Sequence, residues 1–381
     1  MSMGPTLNNN SALGPSFVPA PLAQMPWGVI LTLLAIGFFG LLVLYSAAGG
    51  SLTPWAWSQG IRLLVFIAVA MVMSRISENI WAAGAIPFYG LLVVLLVLVE
   101  LLGAVRGGSQ RWLDFGLIRL QPSELMKPAI VLALARFYEI LPAGEIRRFG
   151  AIWPAAAMIG VPVLFVMLQP DLGTALMIAM AGVSVMFLAG VPLRLFIGGA
   201  LAGAVSIPLA VNYLLHDYQR NRVLTFLNPE NDPLGTGYHI SQSKIAIGSG
   251  GIFGKGFLNG TQSHLDYLPE GHTDFALATM MEEWGLMGGL FVILAYAFII
   301  RWAINVGLRA QSRFGKLAAA GLATTIFFYV SINMAMVMGL APVVGVPLPL
   351  ISFGGSAQMT ILMMIGILMS IDRQSRKTTR F

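Results

Sequence analysis

The chain has 381 residues, of which 57% are hydrophobic and 10% charged, whereas an ordinary soluble domain carries roughly 25% charged residues. With a mean hydropathy of +0.80 and apolar runs of about 20 residues, this is a multispan membrane protein rather than a soluble globular one. Disulfides and thiolate metal sites are excluded because there is no cysteine. The net charge of +6 is no sign of nucleic acid, since the basic residues are spread through short loops and the C-terminal tail.

Residues 1–25 lack Lys and Arg and are rich in Pro and Asn. They read as a disordered cytoplasmic tail, because a secretory signal would need a positive n-region. Apolar windows then predict ten transmembrane helices, near 27–47, 57–76, 82–104, 122–139, 151–168, 172–190, 193–214, 275–303, 316–340 and 353–371. The predicted class is an all-α polytopic membrane protein, with one membrane domain over 26–372 and a basic cytoplasmic tail at 373–381. An even number of spans puts both termini on one side. If that side is cytoplasmic, inner segments hold Arg75, Arg136, Arg147, Arg148, Arg194, Arg301, Arg309, Arg313, Lys316 and the basic tail, and the short outer ones only Arg106, Arg111 and Arg119, with Arg62 near a helix start. The positive-inside rule therefore sets both termini in the cytoplasm, and the segment 215–274, between helices 7 and 8, outside.

Within the fourth predicted helix, Glu124 and Lys127 stand three apart and share a face. An ionisable pair in the bilayer is expensive, so it points to function, to pinned helix packing, or to both. The outer segment 215–274 holds all four histidines (His216, His239, His264, His272) together with Asp217, Glu230, Asp232, Asp266 and Glu270. Its apolar pieces predict order, as short amphipathic helices on the membrane surface. The histidine spacings match no zinc pattern. A loosely held divalent cation, magnesium or manganese, on carboxylates and a pyrophosphate stays open, because such sites use few protein ligands. Gly248-Ser249-Gly250-Gly251-Ile252-Phe253-Gly254-Lys255-Gly256 departs from the phosphate-binding loop pattern at Ser249 and Gly256. It reads instead as a permissive backbone segment, with Lys255 available to a lipid phosphate. Asp274, where the loop enters the eighth helix, stands where an N-cap is expected. Local spacing does not separate that role from chemistry.

Several of these stretches together resemble a known family. Arg111-Trp112, Gln121-Pro122-Ser123-Glu124, Gln169-Pro170-Asp171-Leu172-Gly173-Thr174-Ala175, the stretch Asn228 to Gly256, Leu268 to Asp274, and Pro347-Leu348-Pro349 with Ser352-Phe353-Gly354-Gly355-Ser356 resemble the SEDS proteins (shape, elongation, division and sporulation). The match runs in order from about residue 27 to residue 372. Asp232-Pro233-Leu234-Gly235, Gly237-Tyr238-His239-Ile240 and Val344 are similar to the elongation (RodA) type rather than the division type. Gly271 and Ala357 are mild departures that touch no carboxylate.

The resemblance implies ten helices and a peptidoglycan glycosyltransferase of the bacterial inner membrane. It implies lipid II as substrate, used on the periplasmic face amid membrane lipid. Implied partners are a single-span class B penicillin-binding protein, which crosslinks the strands, and other cell-elongation proteins. The family's essential carboxylate falls on Asp274, a second acidic position on Asp266, and a buried ion pair on Glu124 and Lys127. Joining a 4-hydroxyl to C1 of an α-linked donor with a β-1,4 outcome implies inversion and one base, for which Asp274 stands. The departing undecaprenyl pyrophosphate needs positive charge. Lys127 and Arg111 rank first for it, followed by Arg220, Arg222, Lys244 and Lys255, with Glu124, Trp112 and His272 completing the substrate-binding set. The rivals are a lipid II flippase and a non-catalytic scaffold for a transpeptidase.

Overall fold

A computed structural model describes residues 25–102, 104–106, 109–114, 119–213, 220, 225, 236–265, 267, 268 and 270–378. Three helices come first, α1 (Trp27–Ala47), α2 (Ala56–Met73) and α3 (Glu78–Leu102). Strands β1 (Ala104–Arg106), β2 (Ser109–Asp114) and β3 (Arg119–Leu120) follow, then α4 (Pro122–Ile140), α5 (Phe149–Leu168), α6 (Leu172–Ala189) and α7 (Leu193–Tyr213). The last five helices are α8 (Thr236–Gly250), α9 (Thr261–His264), α10 (Ala276–Arg309), α11 (Arg313–Val337) and α12 (Gly355–Thr378).

Among the described residues, eight of these helices are long and apolar enough to cross a membrane. The other two predicted spans correspond to α4 and α7. Helix α4 carries Glu124, Lys127, Arg136 and Glu139, and it is the central helix of the bundle. It packs against α3, α5, α6, α11 and α12, and Met126 through Ala135 are all buried. Glu124 and Lys127 therefore face protein rather than lipid, the arrangement that a membrane tolerates. Pro122 at its first position is preorganised for a helix start, and Glu124 in its first turn complements the positive end of the helix dipole. The polytopic helical class is as expected. The antiparallel order β1-β2-β3, however, was not anticipated in the stretch between α3 and α4.

Helix α10 is broken. Gly285 has φ 59° and ψ −154°, a region open essentially to glycine alone. The loop after α8 fits into the break and bonds the backbone groups there. Lys255 N–H donates to the Glu282 carbonyl (2.9 Å) and Gly256 N–H to that of Glu283 (3.0 Å), while the Gly251 and Ile252 carbonyls accept from Leu286 (3.0 Å) and Met287 (3.1 Å). A Cβ on Gly254 would run into the Glu283 carbonyl oxygen. Part of the predicted surface loop is thus a fifteen-residue helix and a glycine clasp built against α10.

Candidate active site

Glu124 and Lys127 do pair, and a third residue closes the arrangement. Lys127 Nζ donates to Glu124 Oε1 at 2.5 Å and to the Tyr329 hydroxyl at 2.7 Å, while that hydroxyl donates to Glu124 Oε2 at 2.7 Å. All three side chains are buried. Tyr329 comes from α11, 205 positions away from Glu124, so no local pattern announces it. The triangle satisfies the charges internally, which is what a buried ion pair requires.

Above it lies a cavity of about 690 Å³ at the ends of α4, α6, α10 and α12. Its lining includes Arg111 and Trp112 from β2, Gln121 and Glu124 from the start of α4, and Asp171 from the start of α6. His239 of α8, Glu270 and Asp274 from the turn before α10, Gly345, and Phe353 and Ser356 near α12 complete the polar and motif-bearing wall. Arg111 is held by the Gln169 carbonyl (3.1 Å) and the Pro170 carbonyl, with its Nη1 3.8 Å from Asp171 Oδ2. Asp171 also caps α6, its Oδ1 accepting from Thr174 N–H at 3.1 Å.

Asp274 stands one residue before the N-cap position of α10. That helix begins after Phe275, which makes no side-chain cap. The turn carrying Asp274 is fixed instead by Asn333, fully buried in α11, whose amide donates to the Asp274 carbonyl (3.0 Å) and the Val346 carbonyl (2.7 Å). Gly345, at φ 73°, lies so close that a Cβ there would stand 3.4 Å from Asp274 Oδ2. The site thus holds four carboxylates, Glu124, Asp171, Glu270 and Asp274, and one guanidinium among the described residues. Such a lining is suited to taking a hydroxyl proton and to orienting sugars. Among the described residues, no group of three His, Asp or Glu side chains is placed to hold a metal.

Other candidate residues lie elsewhere. Lys255 is not among the cavity residues, and its ammonium is bonded to Glu282 (2.7 Å) and Thr261 (2.8 Å). Glu282 is fully buried, and a neighbouring cation offsets its desolvation. Lys244 is exposed, its stem lying over Gly339 just beyond the end of α11, and it is not among the cavity residues. Arg220 is exposed, whereas Arg222 and Asp266 lie outside the described residues. His272 stacks on Trp55, ring centres 4.0 Å apart, in a separate cavity of about 210 Å³. Burial pushes its imidazole below the ordinary value, and the Glu270 carboxylate offsets this in part. Sequence reasoning left out Tyr329, Asn333, His239 and Asp171 as site residues. Of these, only Asp171 and His239 carried a signal, through the motifs around them.

A larger groove of about 740 Å³ runs between α1 and α2, lined almost wholly by aliphatic and aromatic side chains. It offers no group for the chemistry.

Residues 26–377 match the cell cycle protein family that takes in FtsW, RodA and SpoVE. The peptidoglycan glycosyltransferase MrdB of Escherichia coli (strain K12) is 44% identical, over 92% of this chain and 94% of that protein. A solved chain from work on polymerization and crosslinking by a peptidoglycan synthase complex superposes with a TM-score of 0.79 at 32% identity, over 92% of this chain and 98% of that one. The crystal structure of the Thermus thermophilus rod shape determining protein RodA gives a TM-score of 0.69 at 27% identity, over 92% and 97%.

Proposed function

Since the chain belongs to the FtsW, RodA and SpoVE family of cell cycle proteins, we propose that it polymerises lipid II into β-1,4 glycan strands during cell elongation. It is a multi-pass membrane protein of the peptidoglycan glycosyltransferase type. The specific reading is that Asp274 takes the proton from a sugar 4-hydroxyl as that oxygen attacks C1 of the donor. The C1–O bond to undecaprenyl pyrophosphate breaks in the same displacement, with inversion. One observation carries this assignment. Arg111, Glu124, Asp171 and Asp274 come from four separate motifs and line a single cavity of about 690 Å³.

In this reading α4 and α7 are spans like the other eight, which makes ten. Residues 1–25 and 373–381 face the cytoplasm, and 215–274 with the cavity faces the periplasm. The single-span class B penicillin-binding protein and other elongation proteins dock on this framework, and Asp266 is a second acidic group of the site.

Purified protein incubated with labelled lipid II, with and without the transpeptidase partner, should give glycan polymer on a gel. Asp274→Ala and Asp274→Asn should give none while unfolding at the wild-type temperature. Losing a helix cap alone would cost only about 0.5–2 kcal/mol of stability and leave turnover measurable. Lipid II scrambling in vesicles without any polymer would instead establish a flippase and end this assignment.

A further inference from the structure

Polymerisation expels a pyrophosphate, and among the described residues the cavity offers few cations to receive it. Lys127, the first-ranked candidate from sequence, is 1% exposed and bonded to both Glu124 and Tyr329. Among the described residues, Arg111 is the one cationic side chain lining the cavity, and it commits N–H groups to the Gln169 and Pro170 carbonyls beside Asp171. Four carboxylates share the same walls. A phosphate there needs a further hydrogen-bond donor, because its oxygens only accept.

His239 is the one imidazole among the described lining residues. It lies in the first turn of α8, and its ring stacks on Phe275 with centres 5.9 Å apart and planes at 17°. Phe275 is buried and adjoins Asp274, so the imidazole and the base are held by neighbouring residues. Ser243, one turn further along α8, donates to the Val337 carbonyl at 2.7 Å and fixes the helix against α11. The Nδ1 atom of His239 is buried with no hydrogen-bond partner. A buried donor without an acceptor is harder to accommodate than an acceptor without a donor. The ring proton therefore belongs on the other nitrogen, Nε2.

We infer that His239, through Nε2–H, donates a hydrogen bond to a phosphate oxygen of the polyprenyl pyrophosphate-linked substrate and helps hold the departing pyrophosphate. This rests on the polymerase reading above. It makes His239 a substrate-binding residue beside the base, and it gives the cavity a donor that a histidine or an amide can supply but an aliphatic side chain cannot.

The test compares wild type, His239→Leu and His239→Gln in detergent, each first matched for thermal unfolding, with lipid II as substrate and farnesyl pyrophosphate as a competing probe. Losing a hydrogen bond to a charged group should raise KM and weaken inhibition by the probe about ten- to a hundredfold in His239→Leu. His239→Gln, whose amide N–H can stand in for Nε2–H, should recover most of both. A polymerising wild type with unchanged KM and probe inhibition in His239→Leu would overturn the assignment, as would His239→Gln failing as badly as His239→Leu, which would mark a packing role. A wild type that makes no polymer would instead strike the function itself, and the inference would fall with it.

Discussion

Replacing one member of the Glu124–Lys127–Tyr329 triangle should hurt more than replacing the two charged members together. In Lys127→Met, the Glu124 carboxylate, 5% exposed, keeps only the tyrosine hydroxyl as a partner at 2.7 Å. In Glu124→Leu, the ammonium of Lys127 is stranded at 1% exposure. Breaking a buried pair in this way costs about 3–5 kcal/mol, or roughly 6–10 °C in midpoint at about 2 °C per kcal/mol for a chain of this size. The double variant removes both charges and leaves one hydroxyl unsatisfied, at about 1–3 kcal/mol. Adding Tyr329→Phe removes that hydroxyl and should recover most of the remaining loss. Thermal unfolding in detergent, followed by intrinsic fluorescence, ranks the four variants. If the double variant loses as much as the two singles summed, the groups do not act as one closed network, and Tyr329 does not bind the pair together.

Asn333→Leu should lower turnover more than tenfold with a smaller change in KM, and should cost about 1–3 kcal/mol for each stranded carbonyl. Steady-state kinetics beside thermal unfolding separate the two effects, and wild-type turnover would mean that Asp274 needs no tether to α11. Gly254→Ala should fail to yield monodisperse protein on size exclusion, because Gly254 has φ 80° and faces the Glu283 carbonyl. Gly248→Ala, with nothing within 4 Å of the new Cβ, should behave as wild type. The half-buried imidazole of His272 is held below its ordinary value of 6.5, so the unfolded chain binds more protons there and stability falls as pH drops below about 6.5. His272→Phe should reduce the loss of midpoint between about pH 7.5 and pH 5, and an unchanged loss would place that acid sensitivity elsewhere.

The spans were legible because hydropathy is the property a bilayer selects. The first is predicted and observed at 27–47. The eighth is predicted to stop at 303 but runs to Arg309, since a helix continues past the apolar window once its backbone bonds are in place. The short strands between α3 and α4 escaped notice because pieces of two to six residues beside Gly107-Gly108 give too little alternation to read. In the site, the Glu124–Lys127 pairing follows from helical spacing alone. Tyr329 and Asn333 do not, because each is one of several polar residues scattered on a largely apolar helix and acquires meaning only when α11 packs against α4 and the turn before α10.

The glycine-rich stretch from Gly248 to Gly256 shows how a motif's chemistry depends on where its backbone groups go. A phosphate cradle needs several main-chain N–H groups left free to converge on an anion. In this chain Gly254 N–H donates to Gly250, Lys255 N–H to Glu282 and Gly256 N–H to Glu283, and the Lys255 ammonium is bonded to Glu282 and Thr261. These donors, which such a loop would offer a phosphate, are spent within the loop and on the break in α10. That break, at Gly285, divides the start of α10 behind Asp274 from the long apolar remainder of the helix. Without the clasp, backbone groups of Glu282, Glu283, Leu286 and Met287 would lose these partners, and each one left buried and unpaired costs about 1–3 kcal/mol. The glycines therefore serve the candidate site at one remove. They let α8 come close enough to hold the broken helix, and the same close packing brings His239 to the cavity wall.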